Sequence, residues 1–369
     1  MGRFRGRDRN AVTAPSLEFI VPGDPQTVSG GYGYDRRIIA GLGALGWQIT
    51  VHVLDASFPH PTEAALAGAH SVLAGLREHA LVLVDGLALG AMPQVARAHC
   101  ARLDLVALVH HPLAAETGLS LELASRLQQS EQQALQTVRR VIVTSRATQE
   151  ALLAYAIAPE RMAVAEPGTD EAPLARGGGG GAVRMLCVGA VIPRKGHDVL
   201  IEALARLAPL GWQLTCVGSL TRSPHTVELL RSQLRRSALV ERVRFVGEVD
   251  DNALEGLFRH ADLFVLPARF EGYGMAVAEA LARGLPVIST RTGAIPELVG
   301  TTAGLLVAPG DALGLRAALA RVLNEPGLLA ALAYGAAAVR ATLTSWSQAC
   351  ERMSQVLQEV RDHPRELLP

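Results

Sequence analysis

The segment RFEGYGMAVAEA, residues 269–280, carries the densest set of side chains that could do chemistry. A helix beginning at Gly274 would point its first free amide groups at a ligand, and their partial positive charge suits a phosphate. Glu279 would lie about 7 Å further along the helix axis, where its carboxylate can hold ribose hydroxyls. Glu271, in the preceding loop, would face the group beyond the phosphates. The plainer interpretation makes both glutamates ordinary solvated residues at a helix start.

A second candidate site contains the chain's only lysine, Lys195, which follows Arg194. The two cations stand in the turn of MLCVGAVIPRKGHDVLIEAL, between a strand pattern and a helix pattern. Adjacent cations suit a diphosphate, because they neutralise the charge that develops as a nucleoside diphosphate leaves. Lysine is a compact donor on a flexible stem where arginine is a planar fork, so a single lysine among 35 cationic residues predicts a specific role. The alternative is that Arg194 and Lys195 lie in an ordinary surface turn.

Strand and helix patterns alternate along the chain, as in parallel sheets covered by helices on both faces. The predicted strands cover residues 17–23, 47–54, 80–84, 105–109, 140–143, 184–188, 213–217, 243–246, 263–266 and 286–289. The predicted helices include residues 121–138, 199–207, 227–237, 252–260, 275–283 and 347–360. The fold class is therefore α/β, with two doubly wound, Rossmann-like domains facing each other across a cleft. Ligands bind such sheets at the carboxyl ends of the strands.

The domain boundaries follow from composition. A run of five glycines makes residues 171–181 a linker between an N-terminal domain, residues 15–170, and a C-terminal domain, residues 182–345. Residues 1–14 read as a disordered basic tail, and residues 346–369 as a helix that packs back toward the N-terminal domain.

Composition excludes several classes of protein. Of the 369 residues, 49% are apolar and 19% charged, with net charge zero, so no overall field attracts nucleic acid. The apolar runs fall short of the roughly 18 residues of a membrane span, and the N-terminus lacks the apolar stretch of a secretory signal. We expect a cytoplasmic protein, with at most peripheral contact at the inner face of a membrane through the arginines of the tail. The four cysteines show no zinc or disulfide spacing and read as small apolar residues.

The motif F-E-G-Y-G-M-x-x-x-E-A, followed by RGLPVISTRTGAIPELV, resembles the donor-binding signature of retaining glycosyltransferases of family 4, which have the GT-B fold. The resemblance covers nearly the whole chain. It implies that Glu279 binds the ribose of a nucleotide sugar and that Glu271 meets the sugar. The intervening backbone amides would hold sugar and phosphate: Gly272, Tyr273, Gly274, Met275 and Ala276.

The resemblance extends to the glycine turn that precedes the cations. Lys195 matches the lysine of the family's K-G motif, after Gly189. Many members place an arginine after that glycine, where this chain has Ala190, so Arg194 would supply the second positive charge. Gly218 and Val246 stand at strand ends whose backbone contacts the nucleobase in the family. The base itself is not determined by the sequence.

In the N-terminal half the resemblance places His110, at the end of a strand, near the anomeric carbon of the sugar. Gly30 and Gly31 of the loop SGGYGYDRR would approach the donor phosphate or the acceptor, with Tyr32, Tyr34 and Arg36 shaping an acceptor pocket. A pair of hydrogen-bonded loop histidines is the alternative for His110 and His111. Adjacent histidines on an extended chain point opposite ways and do not share a metal.

The resemblance implies transfer of a sugar from a nucleotide diphosphate sugar to an acceptor hydroxyl with retention of configuration. We expect no metal and no cofactor, since cations and amides neutralise the leaving group. The acceptor, whether a sugar, a lipid-linked molecule or a small metabolite, is left open. Three alternatives remain: a nucleotide-sugar 2-epimerase, an NAD-dependent dehydrogenase, although G-G-x-G lacks the full dinucleotide pattern, and an inactive partner subunit.

Overall fold

The computed structural model describes residues 14–363, which form two six-stranded parallel sheets with helices on both faces. The predicted basic tail lies almost wholly outside the described residues. The first sheet contains β1 Ser16–Pro22, β2 Gln48–Leu54, β3 Leu81–Asp85, β4 Asp104–Val109, β5 Arg140–Val143 and β6 Met162–Val164. The second contains β7 Val183–Val188, β8 Trp212–Val217, β9 Val243–Gly247, β10 Leu263–Leu266, β11 Val287–Thr290 and β12 Gly304–Val307.

The strand orders are β2-β1-β3-β4-β5-β6 and β12-β11-β10-β7-β8-β9. Each order reverses beside its first strand, between β1 and β3 and between β7 and β10. The loops after these strands diverge there and leave a crevice, where ligands bind in doubly wound folds. Every residue of β3, β4 and β10 is buried, which is why these strands read as nearly continuous apolar runs.

Fourteen α-helices connect the strands in the described part of the chain. In the first half they are α1 Gly30–Ala44, α2 Glu63–Gly75, α3 Gly86–Leu89, α4 Pro93–His99, α5 Leu121–Gln136 and α6 Arg146–Leu153. In the second half they are α7 His197–Ala205, α8 Pro224–Arg236, α9 Asp251–His260, α10 Met275–Ala282, α11 Ile295–Val299, α12 Ala312–Asn324, α13 Pro326–Val339 and α14 Trp346–Asp362. Short 3-10 turns include Pro193–Lys195.

The glycine-rich segment after β1 is not the open turn that the sequence predicted. Helix α1 begins at Gly30, because the Ser29 side chain accepts a hydrogen bond from the backbone N–H of Tyr32 and caps the helix. Gly30 and Gly31 therefore form the first turn of a helix. Their amide groups belong to its N-terminus, which keeps them at the crevice edge of the first sheet.

Three hydrophobic clusters surround the sheets. Alternate residues of β1 enter two different clusters, with Phe19 on one face of the first sheet and Ile20 on the other. A third cluster surrounds the second sheet. Helix α14 returns to the first sheet and contributes Met353 and Leu357 to the Phe19 cluster. The indole N–H of Trp47 donates to the Ser354 hydroxyl at 2.9 Å.

Within residues 14–363 no single helix has the length and apolar character of a membrane span. Helix α12 and residues 326–342 together have the length and apolar composition of a membrane span, but the chain bends by 102° between them.

Candidate active site

Helix α10 begins where the sequence predicted, one residue after Gly274. The φ of +100° at Gly274 is left-handed and favours glycine there. The free N-terminal amides of α10 lie at the carboxyl end of β10, beside the point where the strand order of the second sheet reverses. Met275, the first helical residue, is partly exposed, and its Sδ lies 3.9 Å from where a Cβ on Gly30 would stand. The N-termini of α10 and α1 therefore face each other across the crevice.

Glu271 is buried and forms ion pairs with both predicted cations. The Lys195 ammonium donates to Oε1 of Glu271, and Arg194 Nη1 lies 3.7 Å from Oε2. Burial alone would raise the pKa of Glu271, but Lys195 and Arg194 outweigh it and hold the pKa below its usual value. The sequence did not predict these pairs, and they place Glu271 and Lys195 in one cluster.

Arg194 also reaches the first half of the chain. Its Nη1 donates to the carbonyl oxygen of Phe270 at 3.1 Å, and its Nε lies 3.4 Å from Oε2 of Glu116. Gly189, at the end of β7, lies against Lys195, since a Cβ there would stand 3.2 Å from the lysine Cε. The two cations thus line the second half of the crevice next to the α10 N-terminus.

His110 follows β4 and is held by two carboxylates. Its Nε2 lies 3.2 Å from Oδ1 of Asp35, on α1, and 3.5 Å from Oδ2 of Asp85, the last residue of β3. Burial alone would lower the pKa of His110, but the two carboxylates raise it to about 10. The next residue, His111, behaves in the opposite way, because burial and the nearby Arg194 lower its pKa to about 4.

The two halves of the chain touch at Gly272. A Cβ on this residue would stand 2.2 Å from the His110 carbonyl oxygen, so only glycine permits the contact. The Ser145 hydroxyl, after β5, donates to the Gly272 carbonyl oxygen at 2.9 Å. A Cβ on Gly31 would stand 3.5 Å from Cδ2 of His110, so this glycine lies against the His110 ring. His110 therefore lies at the junction of both halves.

Glu279 is partly buried on α10, and burial raises its pKa to about 7. Arg283 and Arg37 act against this shift, whereas Asp170 and Asp251 add to it. A carboxylate in this state gains from hydroxyl donors, because they stabilise its ionised form.

The residues predicted around the nucleobase lie at the ends of β8 and β9. Gly218 packs against the Gly189 backbone, where a Cβ would stand 2.3 Å from the carbonyl oxygen of Gly189. Val246 is partly buried against the hydrophobic cluster that surrounds the second sheet. Ala276 is also partly exposed, in the first turn of α10.

Two tyrosine side chains point away from the crevice. Tyr273 packs with Ala278 and Ala294 in a small apolar cluster, so only its backbone is left for the predicted contact with a ligand. Tyr34 is 1% exposed and donates to the carbonyl oxygen of Ala165, which removes it from the predicted acceptor pocket. Arg36 donates to the backbone of Pro25, which fixes the loop after β1.

Three buried side chains offer ligand atoms within 4.8 Å of one another: Cys187, His197 and Cys216. The two cysteines are paired residues of β7 and β8, which the sequence spacing did not reveal. Thiolate and imidazole ligands suit zinc, but among the described residues this group supplies three ligand atoms where structural zinc takes four.

Comparison with known proteins agrees with this architecture. The model of the family described as "Glycosyl transferases group 1" matches residues 182–325. The MMP alpha-(1->4)-mannosyltransferase of Mycolicibacterium hassiacum is 29% identical over 288 residues, covering 73% of this chain and 68% of that protein. Several other curated relatives are matched over less than half of their own length.

Solved structures share the whole fold. Sucrose-phosphate synthase from Thermosynechococcus elongatus superposes with a TM-score of 0.78 at 21% identity, over 94% of this chain and 99% of that one. Anabaena HepE in complex with UDP-glucose gives 0.75 at 19% identity, over 93% and 99%. Residues 182–325 therefore match the group 1 glycosyltransferases, and the whole chain has the GT-B fold of two Rossmann-like domains, so it is an enzyme of the glycosyltransferase class.

Proposed function

We propose that the enzyme transfers a sugar from a nucleoside diphosphate sugar to an acceptor hydroxyl, with retention of configuration and without a metal ion. The observation that supports this is the convergence of the α10 N-terminus with Arg194 and Lys195 at the crevice. Amide dipoles and two cations at one point suit a diphosphate leaving group. The HepE structure, which contains UDP-glucose, supports this class of donor by its fold.

In the proposed reaction the bond between the sugar C1 and the phosphate oxygen breaks, and the acceptor oxygen bonds to C1 on the same face. The acceptor proton passes to the departing phosphate oxygen. Lys195 and Arg194 exchange their pairing with Glu271 for the diphosphate charge. Glu271 is then free to accept hydrogen bonds from sugar hydroxyls, and Glu279 accepts those of the ribose. No carboxylate pair is required, because the leaving group is already activated.

The test is a thermal-shift panel of UDP, GDP, ADP, their sugar conjugates and NAD. A ligand that binds only the folded state stabilises it, by about 2.7 kcal/mol at a hundredfold excess over its Kd. We expect one nucleoside diphosphate to raise Tm with EDTA present. The matching sugar nucleotide would then be offered to acceptor candidates and the anomeric configuration of the product read by NMR. A shift with NAD alone, a requirement for a divalent ion or an inverted product would each contradict the proposal.

Lys195→Ala should lower turnover by about 10²- to 10³-fold, because one preorganised donor to the leaving group is lost. Lys195→Arg should recover little of it, since a planar fork does not fit a site built for a compact ammonium. Arg194 still pairs with Glu271 in both variants, so Tm should change little. Arg235→Ala, at an exposed pair with Glu228, is the control. Turnover of the Lys195→Ala variant equal to that of this control would remove Lys195 from the mechanism.

A further inference from the structure

Two buried carboxylates beside His110 have no part in the reaction described above. Asp35 is 2% exposed and Asp85 is 4% exposed. Burying a carboxylate costs free energy unless a partner compensates its charge. They come from α1 and β3, the elements that flank the point where the strand order of the first sheet reverses. Both direct an oxygen at the same ring nitrogen, Nε2 of His110.

The carboxylates are fixed by different means. Oδ1 of Asp85 accepts a hydrogen bond from the backbone N–H of Leu87 at 2.6 Å, as the N-cap of α3. Asp35 is anchored by the buried face of α1, next to Tyr34, and its Oδ2 is buried without a hydrogen-bond partner in the described structure. Because Oδ2 of Asp35 has no partner among the described residues, the charge of this carboxylate must be stabilised by a full positive charge next to Oδ1. A protonated imidazole supplies that charge, whereas a neutral one does not.

The other groups around the ring do not compete for the proton. The Tyr34 ring meets His110 edge-on at 5.4 Å, and burial raises the pKa of Tyr34 well above its usual value, so it remains a neutral phenol. Tyr32 is neutral for the same reason. His111 has its pKa lowered to about 4, and Gly272 presents only backbone. The two aspartates are thus the charged partners of His110 in this part of the structure.

We propose that Asp35 and Asp85 are positioning residues that keep His110 as an imidazolium during glycosyl transfer. This rests on the proposed function. His110 then acts at the junction of the two halves as a fixed cation and N–H donor, opposite the cations of the second half. It does not act as a base, because both of its ring nitrogens carry protons. Its side chain is 19% exposed, so part of the ring is open to the crevice.

The first experiment needs no substrate. Histidine-selective ¹³C labelling of the full chain, with His110 assigned by its loss in His110→Gln, follows the ring through a pH titration. We expect the wild-type ring to stay protonated at pH 8 and to titrate near 10. In Asp35→Asn and Asp85→Asn the midpoint should fall toward neutrality. A wild-type ring that is neutral at pH 8 would overturn the proposal even if neither variant folds.

The second experiment measures kcat and kcat/KM between pH 6 and 9. If the imidazolium is the active form, each variant should lose activity as pH rises above neutral, about tenfold or more at pH 9, while wild type does not. Asp104→Asn makes the same chemical change at the opposite end of β4, where Asp104 pairs with Arg139, and should leave the pH profile unshifted. Activity lost instead as pH falls would identify His110 as a base, and unchanged profiles would make the aspartates merely structural. Absence of any transfer with a normal His110 titration would count against the proposed function alone.

Discussion

Glu271 and Glu279 lie eight residues apart, yet their protonation behaves in opposite ways. Glu271 is the more buried, but two cations stabilise its charge and lower its pKa. Glu279 has only partial compensation from Arg283 and Arg37, so burial raises its pKa to about 7. The difference matches their proposed roles. In the proposed reaction, Glu271 keeps Arg194 and Lys195 in place until the donor binds, whereas Glu279 gains its charge when ribose hydroxyls donate to it.

The affinity for a nucleoside diphosphate should therefore depend on the protonation of Glu279. The free group has a pKa of about 7 and the bound group is ionised, so binding releases a proton below pH 7 and affinity weakens as pH falls from 7.5 to 5.5. The release of one proton can change the affinity by at most about tenfold per pH unit. Calorimetry with the nucleotide selected by the thermal-shift panel measures this. Glu279→Gln should bind more weakly at pH 8, with a reduced pH dependence.

The matched control is Glu131→Gln. Burial also raises the pKa of Glu131 to about 7, but this residue lies on α5 and accepts hydrogen bonds from Leu113 and Tyr155. Its variant should keep the wild-type pH dependence, which includes ionisation of the nucleotide phosphate itself. A pH profile for Glu279→Gln that coincides with that of Glu131→Gln would refute the ribose assignment.

Residue types predicted which side chains belong to the site, but not how they pair. The lone lysine and the glycine-framed glutamates stood out in the sequence. Lys195 and Glu271 form an ion pair although they lie 76 residues apart in the sequence, and no local pattern predicts such a contact. Asp35 escaped notice because it lies in the sequence YDRR, which suits an exposed helix face. Only the return of β3 and β4 beside α1 shows it to be buried.

At the scale of elements, the fold was predictable where apolar runs were long and helical periodicity was regular. The ten predicted strands are present with ends shifted by at most one residue. Strands β6 and β12 were not predicted: they have three and four residues at sheet edges, where little apolar pattern is needed. Helices α12 and α13 were also missed, because their alanine- and leucine-rich sequences show little polar contrast between faces.

The packing of α14 on α1 gives a prediction with an internal control. A Cβ on Gly41 would stand 2.1 Å from Sγ and 2.9 Å from Cβ of Cys350, so Gly41→Ala should force the helices apart and destabilise the chain by about 1–3 kcal/mol. Gly43, two residues later on α1, has no neighbour within 4 Å of its Cβ position. Gly43→Ala should be neutral or stabilise by up to about 1 kcal/mol. Urea unfolding measures both, and equal stabilities would contradict this account of the helix contact.

At the scale of the whole molecule, the groups proposed to bind the donor lie beside one sheet and His110 lies beside the other. The two sets function together only if the halves approach closely. Gly272 permits that approach, because the His110 carbonyl oxygen occupies the space that a side chain would fill. Ser145 fixes the same point by donating to the Gly272 carbonyl oxygen. The geometry of the proposed reaction centre is thus set by a backbone contact between the halves, which the motif alone does not reveal.

Gly272→Ala should therefore impair catalysis more than nucleotide binding. The new Cβ would clash with a backbone oxygen, which cannot rotate away, so the halves must shift by more than a few tenths of an ångström. A displacement near 1 Å can cost about a hundredfold in rate. We expect kcat to fall by about 10- to 100-fold, with a smaller loss of affinity for the nucleoside diphosphate, because Lys195 and Glu279 stay on one half. Gly256→Ala, on α9 with open space around its Cβ, is the control in the same half. Equal kcat values for the two variants would show that the contact at His110 does not set the distance between the halves.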